Sequence, residues 1–275
     1  TRFSFLGSAF NIILTLGMLI TGGFGLVSTW LEQYTTDPIY LALLFFGVLF
    51  IASDILQTPF SWYQTFNIEE RFGFNKMTKK LFVMDKIKGY ALGAVLGGLI
   101  MYALLYLITE IGANFWIYFW AVIVVFMLVM QMFYTSLIMP LFNKLTPLED
   151  GELRAAIEKY AKTIDFPLTN IYVIDGSKRS TKANAFFSGI GKEKKIVLYD
   201  TLIKNHTVEE LVAVLAHEVG HYKKKHIPVT MAVSFLQMGV MLYVLSLMIF
   251  NKNLSIAMGA EGLSIHLNLI AFTFL

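Results

Sequence analysis

Cysteine is absent from the 275-residue chain, which excludes disulfides, thiolate nucleophiles and cysteine-ligated metals. Charge is scarce as well. Asp, Glu, Lys and Arg together make up 15% of the residues, against about a quarter in an ordinary soluble domain. That shortage excludes a plain soluble domain, a disordered chain and a coiled coil. The net charge of +3 is too small for nucleic acid to be a main partner. Apolar surface is what the chain has in quantity, with 56% hydrophobic residues and a mean hydropathy of +0.63. The distribution of that surface points to a membrane protein.

A helix needs about 20 mostly apolar residues to cross a bilayer. Residues 3–30, 89–109, 111–142 and 227–250 are runs without a charged side chain. Residues 39–60 form a weaker candidate that holds Asp54 and Gln57, and residues 263–275 stop within an apolar run. The sum is five spans and the start of a sixth, in an α-helical polytopic membrane protein. Residues 1–139 are expected to hold the first four spans with a basic loop at 58–88. Residues 140–226 form a small α+β unit, and residues 227–275 hold one span and the start of another.

Lysine and arginine set the orientation, because they concentrate on cytoplasmic flanks. With residues 1–2, 58–88 and 140–226 on the cytoplasmic side, 21 of the 22 fall there and only Lys252 lies opposite. No signal peptide is evident, since the first apolar stretch exceeds an h-region. Both ends read as cut within a longer protein.

Residues 140–226 have the composition of a soluble unit. Leu153, Ala156, Ile157 and Tyr160 repeat at helical spacing, which predicts a helix over 152–164. Residues 171–174, 184–190 and 196–199 read as strands, with a turn at 191–194. A second helix is predicted to begin at Thr207, where Thr207-Val208-Glu209-Glu210 fits a capping box.

That helix carries Ala216-His217-Glu218-Val219-Gly220-His221, an HExxH pattern. Four residues are about one helical turn, so His217 and His221 share a face and two imidazoles can bind one zinc ion. Glu218 sits about 100° round from His217, where it reaches a metal-bound water as general base and not the metal itself. With five His and twelve Glu in the chain, chance gives about 0.004 such matches. His217 and Glu218 also interrupt an apolar stretch, where burial without a partner is costly. No third protein ligand is visible among the other histidines. His226 would lie about 140° from His221 on a continued helix, which suits a membrane-edge residue. His206 precedes the N-cap, and His266 and Glu261 fall on the opposite side in this topology. A hydrolytic zinc site has three protein ligands and an open position, so the third is expected beyond Leu275, and the 275 residues alone are expected to be inactive.

The chain resembles the type I CAAX prenyl proteases, integral-membrane zinc metalloproteases. The blocks that carry the resemblance are Glu69-Glu70-Arg71-Phe72-Gly73-Phe74-Asn75-Lys76; Pro140-Leu141-Phe142-Asn143-Lys144 with Pro147-Leu148; Gly176-Ser177-Lys178-Arg179-Ser180; Asn184-Ala185-Phe186-Phe187; and Leu215 to His221. The resemblance implies seven helices enclosing a water-filled chamber, one Zn2+ per chain at its cytoplasmic end, and a glutamate as third ligand on a later helix. It also implies a substrate peptide or protein that is prenylated in the family, cleaved near its C-terminus, with membrane lipid around the enzyme. Two positions depart from the family: Lys182 stands where a histidine is common, and Phe186 where a tyrosine is common. Only Lys204, Asn205 and His206 separate the third strand region from Thr207, a compactness that suggests a bacterial inner membrane over an endoplasmic reticulum one.

The activity expected is metalloendopeptidase, with His217 and His221 on the metal and Glu218 as catalytic base. Residues Asn184, Ala185 and Phe186 are expected to bind substrate, an extended peptide adding to their edge as a strand. The competing readings are a quality-control protease of the HtpX type and, from Asp54, Gln57, Gln131 and Gln237 in or near spans, a transporter or channel.

The orientation has a direct test, because no native cysteine contributes background. A membrane-impermeant thiol reagent should label Lys79→Cys and Lys192→Cys from the cytoplasmic side and Asn253→Cys from the other. Labelling of Lys79→Cys and Lys192→Cys from opposite sides would overturn the span count.

Overall fold

The computed structural model describes residues 2–188 and 194–274. The far end of the strand expected at 184–190, the turn expected before Lys194 and the Lys192 position lie outside the described residues. The chain forms two compact units, residues 1–63, 91–123 and 236–275 in one, and 64–90 with 124–235 in the other.

The first unit is helical throughout its regular structure. Among the described residues, four helical stretches are long and apolar enough to cross a membrane: Phe3–Ile20, Pro38–Glu69, Lys79–Phe142 and His226–Met248. The third is 64 residues long and holds two of the expected runs. It leaves helical geometry at Gly112, whose φ of 69° favours glycine. The 3–30 run is also not one helix. It breaks into Arg2–Ile20 and Gly23–Leu31 at Gly22, which is left-handed at φ 66°. Phe5, Ile13 and Ile20 leave 77%, 69% and 83% of their surface uncovered. In water such exposure would be unfavourable, whereas lipid tails are as apolar as the side chains themselves.

Because lipid provides no hydrophobic drive between helices, close packing must hold them. The Pro38–Tyr63 helix supplies it on two sides. Ala42 packs with Leu105, Ile108, Phe115 and Ile249, and Leu41 and Phe45 pack with Phe24, Leu31 and Leu267. Gly25 lies so near Gly259 that a Cβ there would come within 2.4 Å of the Gly259 carbonyl oxygen.

The second unit is built on a four-stranded sheet ordered β1-β2-β4-β3, with β1 Leu145–Pro147, β2 Leu168–Ile174, β3 Ala185–Ser188 and β4 Lys194–Tyr199. β2 and β4 are parallel, and both outer strands run antiparallel to their neighbours. β1 was not anticipated, because Pro147 weakens the strand pattern; it sits at the sheet edge, where proline is tolerated. Strand side chains alternate between faces. Ile196 and Leu198 of β4 therefore meet Ile157, Leu211 and Leu215 from two helices on one face, while Val197 packs with Met139 and Ile174 on the other. Those helices are Glu152–Thr163 and Val208–Lys223. A further helix, Asp200–Asn205, follows β4 directly and includes Lys204 and Asn205 of the short connection.

One arginine ties this unit's loops together. Arg179 donates through Nε and Nη2 to the Asp85 carboxylate at 2.8 and 2.9 Å, to Asn143 Oδ1 at 3.0 Å and to the Phe142 carbonyl at 2.8 Å. Around it, the Lys76 amide donates to the Arg179 carbonyl at 3.0 Å and the Thr181 amide to the Phe74 carbonyl at 3.0 Å. The Glu69–Lys76 and Pro140–Lys144 blocks thus meet at Arg179, the first through its backbone and the second through its guanidinium. Both charged side chains of the pair are mostly buried, 19% and 18% exposed.

Removing one partner of a largely buried pair strands the other. Arg179→Ala should lower stability by about 2–4 kcal/mol, and Arg179→Lys by a smaller part of that, because an ammonium cannot fork onto a carboxylate. Denaturant titration of the purified protein in detergent measures both; an unchanged midpoint for Arg179→Ala would remove the residue from this role.

Candidate metal centre

The Val208–Lys223 helix begins with the expected reciprocal cap. The Thr207 amide donates to Glu210 Oε2 at 2.9 Å, and the Glu210 amide donates to Thr207 Oγ1 at 3.4 Å. Leu211, Leu215 and Val219 follow at four-residue spacing and are buried at 2%, 1% and 4% exposure. Leu211 and Leu215 pack on the sheet, and Val219 packs with Ala161 and Phe166. Fixing that stripe fixes the rest of the helix. His217 and His221 project from the other side and are exposed, with Glu218 half-buried between them in sequence. The expectation that the motif is buried in an apolar stretch is therefore corrected: the apolar residues turn to the sheet, and the histidines do not share their burial.

His217 Nε2 and His221 Nε2 face each other at 3.3 Å. Two imidazole nitrogens bound to one tetrahedral zinc at 2.0–2.1 Å stand about 3.3 Å apart. The pair has the bite that the ion requires. Glu218 and His221 line a cavity of about 440 Å³ together with Phe186, Phe187, His226 and Gln131. Among the described residues no group of three His, Asp or Glu side chains is arranged to hold a metal ion.

The strand beside the cavity is β3, which bonds to β4 on one side and, among the described residues, to no strand on the other. The Asn184 carbonyl accepts from the Tyr199 amide at 3.1 Å. Antiparallel pairing alternates, so the backbone groups of Ala185 and Phe187 point to the open edge. Asn184 Oδ1 accepts from the Ala185 amide at 2.9 Å, holding one of those outward donors. Of the three expected substrate residues, Phe186 lines the cavity, Ala185 opens the strand and Asn184 immediately precedes it. Phe187 serves twice, as a cavity wall and as a core contact 4.9 Å from the Phe166 ring.

His226 is placed differently from the expectation. The first helix ends at Lys223, Lys225 takes a left-handed φ of 54°, and a new helix starts at His226. The reversal brings His226 Nδ1 to 2.8 Å from His221 Nδ1. The 140° offset assumed an unbroken helix. Pro228 was the available signal, since proline belongs in a first helical turn and not in an interior. His206 instead contacts the Leu202 carbonyl at 3.0 Å, and His266 bonds Ser28 Oγ at 2.8 Å within the first unit.

An HExxH helix laid on a small mixed sheet, in a chain with several membrane-length helices, is the architecture of the membrane metallopeptidase class. Residues 1–144 match the family model described as CAAX prenyl protease N-terminal, five membrane helices, and residues 147–275 match Peptidase family M48. The chain belongs to the CAAX prenyl protease family of M48 peptidases and is an integral, multi-pass membrane protein. It is 48% identical over 192 residues to "Probable CAAX prenyl protease 1" of Schizosaccharomyces pombe, covering 70% of this chain and 40% of that protein. It is 45% identical over 191 residues to "CAAX prenyl protease 1" of Saccharomyces cerevisiae, covering 68% of this chain and 41% of that protein. The solved structure described as "Crystal Structure of S. mikatae Ste24p" superposes with a TM-score of 0.93 at 32% identity, over 99% of this chain and 68% of that one. The chain spans about two fifths of the length of these two curated relatives. The bacterial assignment finds no support: both relatives are yeast proteins.

Proposed function

We propose that this chain carries the metal-binding core of a membrane-embedded zinc endopeptidase that cleaves its substrates near the C-terminus. The observation that carries the reading is the 3.3 Å separation of His217 Nε2 and His221 Nε2, with Glu218 and His221 lining one cavity. His217 and His221 would hold the zinc, which would supply a water of lowered pKa and polarisation of the scissile carbonyl. Glu218 accepts the proton of the attacking water and returns it to the leaving amine. The outward amide and carbonyl groups of Ala185 and Phe187 pair with an extended substrate, which adds to β3 as a further strand. Asn184 keeps the first of those amides satisfied until substrate takes it. Phe186 and Phe187 keep that side of the cavity apolar.

The third ligand, by this reading, is a glutamate from outside residues 1–275, and the 275 residues alone bind zinc weakly. The substrate class follows the relatives' names: a CAAX-type protein, prenylated before cleavage. The site faces the cytoplasm in this reading, which the basic bias supports, since the topology puts 21 of the 22 Lys and Arg on that side. Three of the four groups that suggested a transporter have other uses, since Gln57 donates to Asn11, Thr58 to Asp54, and Gln131 lines the same cavity.

Glu218→Gln in the intact protein separates base from ligand. It should retain zinc and lose about 10²- to 10⁴-fold in turnover of a C-terminal peptide substrate, while His217→Ala should lose zinc and turnover together. Near wild-type turnover by Glu218→Gln would end the assignment of the base.

A further inference from the structure

Every metal-bound imidazole has a second nitrogen, and its partner fixes which tautomer the ring adopts. His221 presents Nε2 to His217 and Nδ1 to His226. Two neutral imidazole nitrogens 2.8 Å apart cannot both carry a lone pair toward each other, nor can both carry a proton. One donates and the other accepts. For His221 Nε2 to offer a lone pair to a metal, its proton must sit on Nδ1, which makes His221 the donor and His226 Nδ1 the acceptor.

We infer that His226 is the positioning residue of the metal centre: it accepts the His221 Nδ1 proton and so holds that ring, in its metal-binding tautomer, opposite His217. The inference rests on the zinc-site reading above. His226 is not itself placed as a ligand, because it meets His221 on the ring edge that points away from the His217 nitrogen. The rings stand 4.9 Å apart at 74°, close to perpendicular, so one lone pair can aim along the other's N–H. The helix break supplies the geometry. A continued helix would carry residue 226 about 140° from residue 221, and only the left-handed turn at Lys225 returns it.

The shape of the acceptor gives the test. Asparagine Oδ1 can stand where histidine Nδ1 does. Glutamine carries its oxygen one bond further, near Nε2, and phenylalanine keeps the ring without an acceptor. Zinc affinity is measured in the intact, detergent-solubilised protein by competition with a chelator, and the visible spectrum of the cobalt-substituted protein reports the ligand field. His226→Phe and His226→Gln should weaken zinc binding by about 10- to 100-fold, the usual loss for an outer partner of a ligating histidine, and should alter the cobalt bands. His226→Asn should restore both toward wild type. Equal affinity for wild type and His226→Gln, with His217→Ala losing the metal, would overturn the role of His226 and leave the zinc site standing. A loss in His226→Asn as complete as in His217→Ala would make His226 a ligand and also overturn it. Zinc affinity unmoved by His217→Ala would remove the site and the inference together. The Asn and Gln variants carry the comparison even where the bulkier His226→Phe does not fold.

Discussion

The Val208–Lys223 helix has to satisfy two neighbours at once, the sheet on one side and the cavity on the other, and its rotation about its own axis is the variable that decides both. Burial of Leu211, Leu215 and Val219 sets that rotation. Each such side chain contributes about 1.5–3 kcal/mol when removed from water. Turning the helix by one residue would forfeit most of three such terms, against about 1 kcal/mol for any single hydrogen bond gained at the site. Packing therefore wins, and the direction in which His217, Glu218 and His221 point is a by-product of where the leucines lie. The capping box adds to this by fixing where the helix begins, so the phase cannot slip at its N-terminus.

The other wall of the cavity is held by a different kind of force. β3 is short and bonds to β4 alone among the described strands, so its place depends on the loop that precedes it. That loop is pinned by Arg179, whose fork on Asp85 and contacts with Asn143 and the Phe142 carbonyl gather three distant segments. Ion pairing and backbone carbonyls do there what apolar burial does for the helix. The two walls are thus secured independently.

Much of this was legible in the sequence, and the exceptions share a cause. Long uncharged runs identified the membrane helices, and a capping box with a four-residue histidine spacing identified the site helix, because both signals are local. The Gly22 break, the β1 strand through Pro147 and the Asp200–Asn205 helix were missed, since tertiary neighbours stabilise short elements whose own pattern is weak. The misplaced burial of the motif came from reading a run of apolar letters without asking which face each letter occupied. His226 was set aside because its angle was computed for a helix that does not continue. The roles proposed for His217, Glu218 and His221 start from their spacing, a quantity that a regular helix preserves.

The turn at Lys225 also has a mechanical meaning. A lysine at φ 54° holds a left-handed conformation that costs a residue with a Cβ about 1–2 kcal/mol. Glycine would adopt it at no steric cost but would leave the joint loose. The chain keeps the strained, side-chain-bearing residue, and the strain at that one position is set against the contact it makes possible between His226 and His221.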